Sequence, residues 1–121
     1  MPNVDQWDQA AQKMIQLTEN DKLNWQVNLF PVTMRNEVLR DTIYCAHVQG
    51  HWVAVYEYRY QEFYDADNWY WSNEVAIEFV TANGDLEWRW PTVPCRVQLL
   101  DAIRAKICGA NDFLKRFLES A

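Results

Sequence analysis

The only run of soft ligands in the chain is Cys45-x-His47-x-x-x-His51. On a strand, a thiol and an imidazole two residues apart project from the same face. There they are placed to approach one metal or to act as nucleophile and base. A structural zinc site takes four ligands, and no second Cys/His pair stands nearby, because Cys95 and Cys108 are far along the chain. A thiol enzyme also needs a third, orienting group and an oxyanion site. The expected reading is a packed cysteine and a partly exposed strand histidine, since free cysteine mostly behaves as a small core residue. The sequence therefore assigns no catalytic residue, no metal ligand and no cofactor, and a thiol enzyme using Cys45 and His47 is the least favoured function.

Carboxylates gather around Tyr64-Asp65-Ala66-Asp67-Asn68, with Glu62 before and Glu74 after. A calcium loop places oxygen ligands at alternating positions and a glycine at its sharp turn. Here Trp69 and Tyr70 stand where ligands are needed and no glycine is present, so the stretch reads as a solvated hairpin tip. Glu57, Glu62, Glu74 and Glu78 offer carboxylate pairs, but glycoside hydrolysis is defined by a carboxyl separation that a sequence does not carry. Phosphate-loop, G-x-S-x-G and H-E-x-x-H patterns do not occur, and three glycines are too few for a nucleotide cradle.

The compositional anomaly is aromatic: seven Trp and six Tyr in 121 residues. The densest patch is Trp69-Tyr70-Trp71 beside Tyr64. Alternation along a strand sends Tyr70 to the face opposite Trp69 and Trp71, so at least one large ring faces outward or into a groove. Exposed Trp and Tyr are enriched where partners dock. Buried, the same rings fill a core or pair across strands. Tyr64, Asp65, Trp69, Tyr70 and Trp71 are the expected binding residues.

These residues need elements to position them. Val4, Trp7, Ala11, Met14 and Ile15 recur at helical spacing, which predicts a helix over 3–18 capped by Asn3 or Asp5. Leu23, Trp25, Val27 and Leu29 alternate with polar residues, which predicts a strand over 23–29 ended by Pro31. Val32 to Asp41 is ambiguous, with a helical turn possible at Asn36 to Leu39. Strands over 42–48 and 51–63 flank the Gln49-Gly50 turn, and apolar residues on both faces make the second one central. A strand over 69–81 carries Trp69, Trp71, Val75, Ile77 and Phe79 on one face and Tyr70, Ser72, Glu74, Ala76 and Glu78 on a solvated one. Asn83-Gly84 turns it into a strand over 85–90, with Leu86, Trp88 and Trp90 inward and Glu87 and Arg89 outward. A helix over 93–108 tolerates Pro94 in its first turn and ends at Gly109. Asn111 then caps a helix over 111–119 with Phe113, Leu114, Phe117 and Leu118 on one side. The expected fold is one α+β domain over 1–121: a five-stranded antiparallel meander with one N-terminal helix and two C-terminal helices packed on it.

Charge and cysteine usage bound the partners. The net charge is −6, from 17 acidic and 11 basic residues. That balance disfavours nucleic acid and anionic membrane surfaces and suits a basic protein partner. The acids also count against nucleic-acid stacking by Tyr58-Arg59-Tyr60 and Trp88-Arg89-Trp90. Three scattered cysteines without a C-x-x-C pair predict free thiols in a reducing compartment. The polar, acidic start Met-Pro-Asn-Val-Asp-Gln-Trp-Asp predicts no secretory leader, and no apolar stretch is long enough to span a bilayer, so a cytoplasmic setting is expected.

Leu17-Thr18-Glu19-Asn20-Asp21-Lys22-Leu23-Asn24-Trp25 is one local signature. Asn83-Gly84-Asp85-Leu86-Glu87-Trp88-Arg89-Trp90-Pro91, followed by a Leu-rich helix, is another. With the order of elements, they resemble small bacterial α+β proteins of about this length. The resemblance implies a bacterial, intracellular setting and carries no activity and no site residues. The function expected is a small acidic protein-binding domain of adaptor, antitoxin, immunity or chaperone type, acting through its aromatic surface. Secretion chaperones usually interrupt their sheet with a helix, and none is predicted between residues 51 and 90. The alternative is a small-molecule site lined by Trp and Tyr. An edge strand such as 23–29, or the aromatic outer face, could also pair two copies as a homodimer.

Overall fold

A computed structural model of the chain describes residues 3–27 and 38–120, with side chains at all of these except 38–41. The elements are α1 (Val4–Glu19), β1 (Gln26–Val27), β2 (Val38–Val48), β3 (His51–Phe63), β4 (Trp69–Val80), β5 (Leu86–Arg89), α2 (Arg96–Cys108) and α3 (Ala110–Glu119). The strands form one antiparallel sheet in the order β1-β2-β3-β4-β5, so each pairs with its sequence neighbour and β3 is central. The architecture is the expected α+β meander with one helix before it and two after. No described helix is long and apolar enough to cross a membrane.

Tight turns set the register. Gln49 and Gly50 both take positive φ, 50° and 79°, the combination whose twist matches the flanking strands. Partners then mirror one another about that turn, as in Cys45↔Ala54 and Val48↔His51. The β3–β4 hairpin mirrors about Asp65-Ala66-Asp67, pairing Phe63 with Trp69 and Trp52 with Val80.

The main core lies between the sheet and the first two helices. Ala11 and Met14 from α1 and Leu99, Leu100 and Ile103 from α2 pack with Val53, Val55, Val75, Ile77 and Trp90. The opposite face of the sheet buries Cys45, Ala54 and Val80, with Ile43 and Trp52 against them. Apolar residues on both faces of β3 are thus accounted for by its central place.

Several boundaries move for physical reasons. The strand expected over 23–29 is reduced to Gln26–Val27, with 28 and 29 outside the described residues. Trp25 is buried because its indole N–H donates to the Thr18 hydroxyl at 2.9 Å, and that hydroxyl donates to the Met14 carbonyl at 2.7 Å. The 23/25 alternation therefore records packing on α1 rather than a strand ladder. β2 starts at Val38 instead of 42, and Val38 and Leu39 belong to it rather than to a helical turn. The ambiguous 32–37 lie outside the described residues. Pro94 stands before α2, which begins at Arg96, while Val93 is buried in the core. Gly109, at φ 72°, ends α2 and starts α3 at once, so Asn111 lies inside α3 and is no cap. α3 buries no residue: Phe113, Leu114, Phe117 and Leu118 face outward instead of packing on the sheet.

Candidate functional site

Among the described residues the β3–β4 hairpin outruns its neighbours. Among the described residues β2 pairs along β3 only as far as Arg59, and β5 pairs along β4 no further than Glu78. Residues 60–63 and 69–72 therefore continue as a two-stranded ribbon beyond those partners. Strand alternation still runs through it, so Phe63, Trp69 and Trp71 share the face that carries Val75 and Ile77 lower down. The helices cover Val75 and Ile77 and stop there. Beyond them Trp69, Tyr70 and Trp71 are each more than 40 % exposed, and Phe63 and Tyr64 are more open still. The expected outward ring is thus joined by both tryptophans.

The rings organise one another. Trp69 and Trp71 meet edge to face with centroids 5.3 Å apart, and the Arg59 guanidinium lies 5.0 Å from the Trp71 ring. On the opposite face Tyr64 and Tyr70 lie 4.9 Å apart, next to Glu62. Desolvation first, and the Glu62 charge second, push the Tyr70 phenol up from its ordinary value. Asp65 serves the turn rather than a ligand. Its Oδ1 accepts from the Asp67 and Asn68 backbone N–H groups at 2.9 and 3.0 Å, and both oxygens accept from the Asn68 amide. The Asn68 side chain, and then the backbone donors, hold the Asp65 carboxyl below its ordinary value.

Cys45 and His47 lie on one face of β2 but in different surroundings. Cys45 is fully buried, and desolvation pushes its thiol up to about 11. His47 is exposed, with its ring 5.0 Å from Trp52. A thiol held protonated by burial is a poor nucleophile and a poor metal ligand. Among the described residues no group of His, Cys, Asp and Glu is placed to hold a metal ion.

Sequence reasoning missed a buried polar cluster. Glu78, expected on a solvated face, is fully buried. Its Oε2 accepts from Nε and Nη2 of Arg89 at 2.9 and 2.8 Å and from the Tyr56 hydroxyl at 2.9 Å. Arg89 Nη2 also donates to the Tyr56 hydroxyl, and its guanidinium lies over the Tyr58 ring. Reflection about Asn83-Gly84 pairs position 78 with 89, as the structure does, so the register of the hairpin was the available signal. Trp88 and Leu86, expected inward, are about 40 % exposed because β5 is an edge strand, while Trp90 is buried.

The ribbon thus exposes aromatic rings on both of its faces with an acidic margin, and the Glu78 cluster ties β3, β4 and β5 together further along the sheet. Comparison of the chain with protein-family models, with curated proteins and with solved structures finds no match.

Proposed function

We propose that the protein is a small binding module that docks a protein partner on the β3–β4 ribbon. The observation that supports this is the exposure of Phe63, Tyr64, Trp69, Tyr70 and Trp71 on one projecting hairpin. Large rings on a rigid support supply contact area at small entropy cost, which is why Trp and Tyr dominate interface hot spots. Glu62, Asp65 and Asp67 surround the rings, Arg59 lies beside them, and the whole chain is acidic, so the partner is a protein with a basic patch. A cytoplasmic, bacterial setting fits three cysteines that are all unpaired. The test is a photo-crosslinking residue in place of Tyr64, activated in the native host. One discrete protein adduct, lost when Trp69→Ala and Trp71→Ala are added, is the expected result. An adduct of two copies of the chain would replace the separate partner with a homodimer. Absence of any discrete adduct, or one that persists in the double variant, would remove the ribbon as the site.

A further inference from the structure

At the end of the sheet away from the ribbon, α1 and the β2–β3 turn enclose a pocket of about 260 Å³. Trp7, Met14 and Leu17 of α1, Val53 and Phe79 of the sheet, and Trp90 wall it. Trp7 lies 4.7 Å from Trp90 and 6.0 Å from Phe79, centroid to centroid, so the wall is an aromatic corner. Trp and Phe build it, with no Tyr among the described residues of the lining. Three further observations give the pocket a chemistry. Trp90 is 6 % exposed, and its indole N–H is buried without an acceptor among the described residues. That N–H is shut off from the cavity, so Trp90 offers a ligand its ring and not its donor. Lys13 and His51 stand exposed in the lining, and Lys13 makes no ion pair among the described residues. Among the described residues that line the pocket none is acidic.

We propose that this pocket binds a small planar aryl carboxylate. The ring lies in the corner of Trp7, Phe79 and Trp90, against their ring faces and edges. The carboxylate meets the Lys13 ammonium and a ring N–H of His51, and the Lys13 charge repels an organic cation that an aromatic corner alone would accept. Water occupies about 30 Å³ per molecule in the liquid, so the volume suits a ligand of roughly ten non-hydrogen atoms. The site is independent of the ribbon and stands whether or not a protein docks there.

The probe is 4-hydroxybenzoate, followed by the ¹⁵N–¹H indole resonances of the full chain. The Trp90 signal, assigned with Trp90→Phe, is expected to move and saturate. The double variant Lys13→Gln, His51→Gln, both on the surface, is expected to weaken binding by about a hundredfold, roughly tenfold for each lost hydrogen bond to a charged group. Ala10→Phe, which fills the pocket from α1, is expected to abolish binding with the circular-dichroism spectrum retained. Trp69→Ala with Trp71→Ala is expected to bind the probe as the parent does. A Trp90 signal unmoved at tens of millimolar probe would overturn the proposal. So would a methyl ester of the probe that binds as tightly as the acid.

Discussion

Glu78 carries a charge at a fully buried position, and three hydrogen bonds from Arg89 and Tyr56 hold it there. Removing one partner of a buried pair leaves the other uncompensated. Glu78→Ala is therefore expected to cost about 3 kcal/mol, and Glu78→Gln clearly less, in urea denaturation at neutral pH. Equal losses would mean that the cavity, not the charge, sets the cost. Strand alternation placed Glu78 on the right face and still misjudged its surroundings. A period of two tells which residues share a face, and it does not tell whether that face is covered. The cysteines make the same point at a different depth. Cys108 is exposed, Cys95 is half-buried with its thiol pushed up to about 11 by desolvation and by Asp8, and Cys45 is fully buried. A thiol reagent followed by mass spectrometry is expected to label Cys108 first and Cys45 only after denaturation. Labelling of Cys45 in the native protein would revive it as a nucleophile.

Among the elements, α2 begins without a cap of its own, since Cys95 offers its N-terminus no side-chain hydrogen bond. α1 supplies one instead: Asp8 Oδ1 accepts the Cys95 backbone N–H at 3.0 Å. That bond is the largest cause holding the Asp8 carboxyl below its ordinary 3.8. A depressed carboxyl stabilises the fold above its ordinary value and loses that effect as pH falls through the folded one. Asp8→Asn is thus expected to lower the urea midpoint at pH 7 and to match the parent once the pH is well below 3.8. Glu74, held low first by its hydrogen bond with Arg96, steepens the acid limb of both proteins alike. A gap between the two midpoints that stayed constant with pH would exclude the cap. Turn chemistry made the hairpins legible, because Gln49-Gly50 and Asn83-Gly84 set registers locally. Helix ends were less legible, because the cap of α2 comes from another element. On the ribbon, Trp69→Ala removes an exposed ring and one edge contact, and Trp71→Ala removes the exposed Arg59 contact as well, so each is expected to cost about 1 kcal/mol or less. A larger loss in thermal or urea melts would make the rings a structural brace.

At the level of the whole molecule, the layer order followed from the sequence because each strand pairs with the next one along the chain. The candidate site was legible as a patch of residue types and not as a surface. Whether Trp69 and Trp71 are covered depends on where the helices stop, and that is a property of the assembled layers. The pocket beside Trp90 had no sequence signal, since α1, the β2–β3 turn and the segment after β5 meet there only on folding. The bond from Cys95 to Asp8 joins residues 87 apart, whereas the hairpins close between near neighbours. Loop-closure entropy makes such distant contacts late in folding. The sheet is then the expected nucleus, with docking of α1 on α2 expected after the barrier. In stopped-flow measurements at neutral pH, Asp8→Asn is expected to speed unfolding and leave the refolding rate unchanged. A slowed refolding arm would place the helix pair inside the transition state. On that expectation, the clasp between the first and second helices sets how long the folded molecule lasts, not how fast it forms.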